Sequence, residues 1–154
     1  MTKQIEIIRK TRSFVLENLK ELSTEQFNKI PEGYNNNIIW NLAHMISAQQ
    51  GVCYVRAGLP TVVSEEFWNK FKTGTKPELP FSPIEIESIK NLLVTTIDQL
   101  ETDYSNQIFG GYVAWVPRYG FELTSIDDAL NFLPFHEGLH AGYITALKRL
   151  VTIV

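Results

Sequence analysis

The chain has a single cysteine, Cys53, in 154 residues. An internal disulfide is therefore excluded, and packing must hold the fold. That usage suits a reducing compartment, so a cytoplasmic location is expected. The net charge is only -3 and no run of Lys or Arg occurs, which argues against a nucleic-acid partner and against a membrane-surface partner. The first residues, MTKQIEIIRKTR, alternate charges with isoleucines and are not expected to act as a signal peptide. Charge is missing altogether from Asn35 to Val55, 21 residues without Asp, Glu, Lys or Arg. That stretch still carries Asn35, Asn36, Asn37, Asn41, His44, Ser47, Gln49 and Gln50. It is too polar for lipid and reads as a buried core helix.

Four segments have helical periodicity. The first runs from about Lys3 to Leu22, with Ile8, Val15, Leu19 and Leu22 on one stripe. The second runs from about Asn36 to Ala57, capped from the Asn35-Asn36-Asn37 cluster and stopped by Gly58 and Pro60. Ser82, Pro83 and Glu85 open the third as a capping box with proline at the first helical position. The fourth starts near Thr124-Ser125, with Asp127 and Asp128 suited to the helix dipole, and reaches about Leu150. Pro134 lies inside it and predicts a kink or a local irregularity shortly before His136. Two connections are long. Gly58 to Phe81 holds Phe67, Trp68 and Phe71, and Ser105 to Leu123 holds FGGYVAWVPRYGF, whose alternation predicts a short hairpin or an ordered loop. Trp68, Phe71, Tyr112 and Trp115 either line a pocket mouth or plug the ends of the bundle. The sum is an all-α four-helix bundle with two long connections, a single domain over residues 1–154.

Histidine is scarce, and its placement is the strongest functional signal. His136-Glu137-Gly138-Leu139-His140 fits H-E-x-x-H, the zinc-protease pattern. A protease of that kind needs a third ligand downstream, yet AGYITALKRLVTIV, the 14 residues after His140, has no His, Asp, Glu or Cys. The third ligand must lie upstream, and His44 is the remaining histidine. At i, i+4 spacing His136 and His140 share a helix face. His140 falls on the stripe Ile126, Leu130, Leu133, Ile144, Leu147, Val151, so the pair points into the core. Buried imidazoles need partners, and one metal ion satisfies both. A single histidine in an apolar helix is more often a hydrogen-bonded core residue, and that reading stands beside ligation for His44. Its helix face holds Trp40 and the smaller Ser47, Ala48 and Gly51, which leave room for an ion or a substrate. Cys53 projects to the opposite side and reads as an inert packing thiol. Glu137 lies about 100° from His136 and about 60° from His140 around the helix. It is a candidate catalytic base or a partner for an imidazole; the alternative is a solvent-side residue or an inter-helix salt bridge.

NNNIIWNLAHM around His44, with His136, His140, Gly142 and Ile144 matching H-x-x-x-H-x-G-Q-I, resembles the DinB/YfiT-like metalloenzymes. Leu139 and Tyr143 stand where that pattern often has Tyr and Gln. The resemblance spans nearly the whole chain. It implies a divalent metal, zinc or nickel, on His44, His136 and His140, a homodimer, and reactions that use a low-molecular-weight thiol. The expectation is therefore a metal-dependent enzyme acting on a small molecule, an S-transferase or a hydrolase. Its rivals are a non-catalytic metal- or small-ligand-binding bundle and a structural dimer whose histidines are merely hydrogen-bonded.

Overall fold

The computed structural model describes residues 2–153. Helix α1, Lys3–Asn18, starts where the Thr2 hydroxyl accepts from the Ile5 amide, and it buries Ile5, Ile8, Arg12 and Val15. The sequence predicts this helix to reach Leu22, but it stops four residues earlier. Ser23 and Gln26 form a reciprocal capping box that starts a separate short helix, α2, Thr24–Asn28. A residue in extended N-cap geometry cannot also continue the preceding helix, so the chain breaks there.

Helix α3, Ile38–Gln49, is capped by Asn37, whose side chain accepts from the Trp40 amide. It runs on through a wide π turn, Gln50–Tyr54, and a tight 3-10 turn, Val55–Ala57. Gly58, at φ 69°, ends it in the left-handed conformation that glycine adopts without penalty. The predicted span to Ala57 is thus helical throughout, but with two changes of pitch. The widened turn begins at the second of two successive fully buried glutamines, Gln49 and Gln50.

The first long connection contains a further short helix, α4, Glu65–Phe71, capped by Ser64. Helix α5, Pro83–Ser105, has the predicted Ser82–Glu85 capping box and proline start. Helix α6, Ile126–Thr152, is capped by Ser125 and continues unbroken through Pro134. In the second long connection Trp115 and Leu123 exchange backbone hydrogen bonds of 3.0 and 2.9 Å in one antiparallel bridge. That bridge is all there is of a hairpin among the described residues. Tyr112 donates to the Val52 carbonyl at 2.9 Å, and the Arg56 guanidinium lies 4.3 Å from the Trp115 ring centre. Those two aromatics fasten the loop to the end of α3.

The chain is all helical. Its four long helices pack so that α1 and α3 each lie against both α5 and α6. The buried apolar residues fall into two clusters, one at each end of the bundle. Along α1, Ile5 and Ile8 belong to one cluster, and Val15, with Leu19 just past the helix end, to the other. Along α6, Ala129 to Leu133 belong to one, and Ile144 to Val151 to the other. Between them lies a polar layer to which every long helix contributes: Arg12, Gln49, Thr96 and the His136–His140 turn. No helix of the described residues is long and apolar enough to cross a membrane.

Candidate metal centre

Arg12 and Glu137 face each other at the middle of that layer, 1% and 0% exposed. The guanidinium meets the carboxylate through Nη2–Oε1 at 2.7 Å and through Nε to both oxygens at 3.2 and 3.1 Å. Its Nη1 donates to the Leu93 carbonyl at 3.0 Å and to the Thr96 hydroxyl at 3.1 Å. Gln49 donates to the Thr96 carbonyl at 2.9 Å. Four helices are therefore joined by one hydrogen-bonded knot. Glu137 sits in the inter-helix salt bridge that was one of its sequence readings, with both carboxylate oxygens given to Arg12 rather than turned toward the histidines. Periodicity alone could not find Arg12, because its partner lies 125 residues away. The signal present was an arginine on the buried stripe between Ile8 and Val15.

The three histidines lie beside this knot. Their ring centres are 4.6 Å apart for His136 and His140, 4.8 Å for His44 and His140, and 5.4 Å for His44 and His136. One nitrogen from each lies within 4.8 Å of the other two. Points so spaced lie within about 2.8 Å of a common centre, so moderate side-chain rotation brings them to the ~2.0–2.1 Å of a Zn–N bond. Two separate helices, α3 and α6, thus bring three imidazoles close enough to hold one metal ion.

Hydrogen bonds orient two of the rings. His44 Nδ1 lies 2.7 Å from the Phe71 carbonyl at the end of α4. A carbonyl only accepts, so Nδ1 carries the proton and Nε2 keeps its lone pair. His140 Nδ1 lies 2.9 Å from Asn41 Oδ1. The Asn41 amide nitrogen donates to Asn36 Oδ1 and to the Asn37 carbonyl at 3.0 and 2.8 Å, which fixes its oxygen as an acceptor. His140 Nδ1 therefore donates too, leaving its Nε2 lone pair free. His136 differs: its Nδ1 is buried with no hydrogen-bond partner. An orphaned buried nitrogen beside two oriented imidazoles is the donor set a divalent ion completes, and the residues fit such an ion.

All three rings favour the neutral form, the form that binds metal. Burial pushes His44 below the ordinary imidazole range, against the Phe71 hydrogen bond, which raises it. Burial first, then repulsion from His140, His44, Arg118 and Arg12, takes His136 down to about 2. Burial, His44 and Arg118 take His140 down to about 3. Cys53 takes no part: it is fully buried, and desolvation pushes its thiol up to about 12.

The small face of α3 serves a different end from the one its sequence suggests. Trp40 stacks on His44 at 4.8 Å and 10°. Ser47 donates to the Trp68 carbonyl at 3.0 Å, and a Cβ on Gly51 would come within 3.3 Å of the Trp68 indole nitrogen. Ser47 and Gly51 make room for α4, which in turn delivers the Phe71 carbonyl to His44. Trp68 and Phe71 thus belong to the surroundings of the histidines, while Tyr112 and Trp115 belong to the end of the bundle. Asn41 was visible only as a polar residue in an apolar helix, one turn before His44. Three surface clefts lie elsewhere on the molecule, and no histidine lines them.

Comparison with curated proteins yields no match. A family model described as the DinB superfamily matches residues 7–144, a span that includes Arg12, His44, His136, Glu137 and His140. With that match over most of its length, and three clustered histidines on an all-helical scaffold, the chain belongs to the DinB superfamily.

Proposed function

We propose that the protein is a metal-dependent enzyme that holds one divalent ion, zinc or nickel, on His44, His136 and His140. The observation that carries this is the convergence of three neutral imidazoles, two with Nδ1 tied to acceptors and the third with a buried unpartnered Nδ1. Three protein ligands leave coordination positions open, the arrangement of a catalytic rather than a closed structural site. When bound, the ion supplies Lewis acidity and a means of keeping a thiol ionised at neutral pH.

The chain's own residues do the rest. Asn41 and the Phe71 carbonyl hold the rings of His140 and His44 in the tautomers that present Nε2. Trp40 covers one face of His44 and keeps water from it. Glu137 we assign to the scaffold: it anchors α6 to α1 through Arg12 and so sets the positions of the histidines on either side of it. The reaction we favour is transfer to or from a low-molecular-weight thiol, with hydrolysis second, on a small-molecule substrate. The resemblance of the two histidine motifs supports this reading, as it supports a homodimer; the lone buried cysteine suits a cytoplasmic setting.

Elemental analysis after reconstitution tests the site. Wild type should hold close to one zinc or nickel per chain, and His140→Ala should lose it. Absence of metal from both would end the proposal. A panel of thiols and electrophiles, offered to the metal-loaded protein, then tests the reaction, with turnover expected to vanish in the same variant.

A further inference from the structure

The loop between α5 and α6 places a cation on an aromatic cluster that reaches His136. Arg118 is exposed and forms no ion pair among the described residues. Its guanidinium is held on Tyr119, with Nη2 3.2 Å from the hydroxyl and Cζ 5.2 Å from the ring centre. Tyr119 in turn lies edge-on to Phe135 at 5.1 Å and 6.1 Å from Phe132. Phe132 reaches His136 at 6.0 Å. A short chain of ring contacts thus ties Arg118 to the metal-site turn of α6.

Around this cation the surface is aromatic and uncovered. Tyr119, Phe121 and Phe135 are 36%, 42% and 48% exposed, and Phe121 packs 5.6 Å from Phe132. Exposed apolar patches of this kind mark binding surfaces. An arginine without a carboxylate partner, presented on such a patch, is suited to a planar anion, which it can grip with two parallel hydrogen bonds.

Resting on the reading of the histidines as an open metal site, we propose that Arg118 selects a small molecule with an apolar body and a carboxylate. The carboxylate pairs with the guanidinium, and the body lies on Tyr119, Phe121 and Phe135, toward His136. Arg118 acts here as a specificity residue. Small neutral ligands of the same shape bind more weakly, because they leave the cation unpaired.

Binding of 4-fluorophenylacetate and 4-fluorophenylacetamide, followed by fluorine NMR on metal-free and zinc-loaded protein, tests this. In the metal-free protein the carboxylate should bind about 10-fold more tightly than the amide. Arg118→Gln should bring the two within twofold of each other without weakening amide binding, and Arg118→Lys should recover part of the preference. Because Arg118 is exposed, both variants should keep the helical circular-dichroism spectrum of wild type. Equal affinities in wild type, no binding of the carboxylate, or a preference that survives in Arg118→Gln would each overturn the assignment. Zinc content measured on the same samples reports on the metal site separately: a chain that takes up no zinc sinks the enzyme reading, while the metal-free titration still decides the role of Arg118.

Discussion

Two polar clusters share one layer of this bundle, and they are finished to different degrees. The Arg12–Glu137 knot is closed: a buried cation meets a buried carboxylate, and Thr96, Gln49 and the Leu93 carbonyl complete it. The histidine cluster is open: two rings are tied from behind, and the third keeps a buried nitrogen with no partner. Burial of polar groups is costly unless hydrogen bonds compensate, so a fold tolerates a polar layer in its core only where the groups serve each other or a ligand. The first cluster serves itself. The second leaves a buried nitrogen unmet beside two oriented rings, and that contrast separates a self-satisfied cluster from one whose donor set a metal ion could complete.

The contrast can be broken from the structural side first. Arg12→Ala or Glu137→Ala leaves an uncompensated buried charge and should cost about 3–5 kcal/mol of stability in urea unfolding. Replacing both, Arg12→Met with Glu137→Leu, should restore most of that loss. A double variant as unstable as the singles would show that the knot contributes more than mutual neutralisation. On the functional side, zinc at 100 times its dissociation constant should stabilise wild type by about 2.7 kcal/mol and leave His136→Ala unmoved. Equal stabilisation of the two would place the metal elsewhere.

A smaller effect sharpens the role of the groups behind the rings. Asn41→Ala frees His140 Nδ1 and should lower metal affinity about 10–100-fold in competition with a chromogenic chelator. An unchanged affinity would mean that packing alone orients His140. A last test is titration of the metal-free protein. His136 and His140 have folded pKa values pushed from 6.5 down to about 2 and about 3, so below pH 6.5 the unfolded chain binds more protons than the fold. Stability should therefore fall as pH drops from about 6.5 toward 3, by up to about 1.4 kcal/mol per unit for each histidine. His136→Ala should flatten the slope, whereas a flat profile in wild type would mean that protons reach the imidazoles in the fold.

Much of this was legible in the chain. The Ser82–Glu85 capping box, the Pro83 start, the Gly58 stop and the i, i+4 histidine pair are local features, set by residues within one turn of each other. So were the all-helical class and the long connections. The end of α1 was misplaced because the apolar stripe runs on past Asn18, and the Ser23 capping box outweighed it. Of the short hairpin or ordered loop expected from FGGYVAWVPRYGF, the chain forms the loop, with one bridge, since its aromatics pack onto the end of α3 instead of pairing across two strands.

By itself the sequence determined the four long helices in outline, the face on which His136 and His140 lie, and the shortage of other ligands that pointed to His44. Those depend on helical period and side-chain chemistry, which act over a few residues. Only the tertiary structure decided that Glu137 belongs to Arg12, that Phe71 and Asn41 set the tautomers of His44 and His140, and that ring contacts link Arg118 through Tyr119 and Phe132 to His136. Each of these pairings except Arg118 joins side chains or carbonyls 27 to 125 residues apart. A one-dimensional pattern contains no distance between such groups; packing two helices against each other creates it.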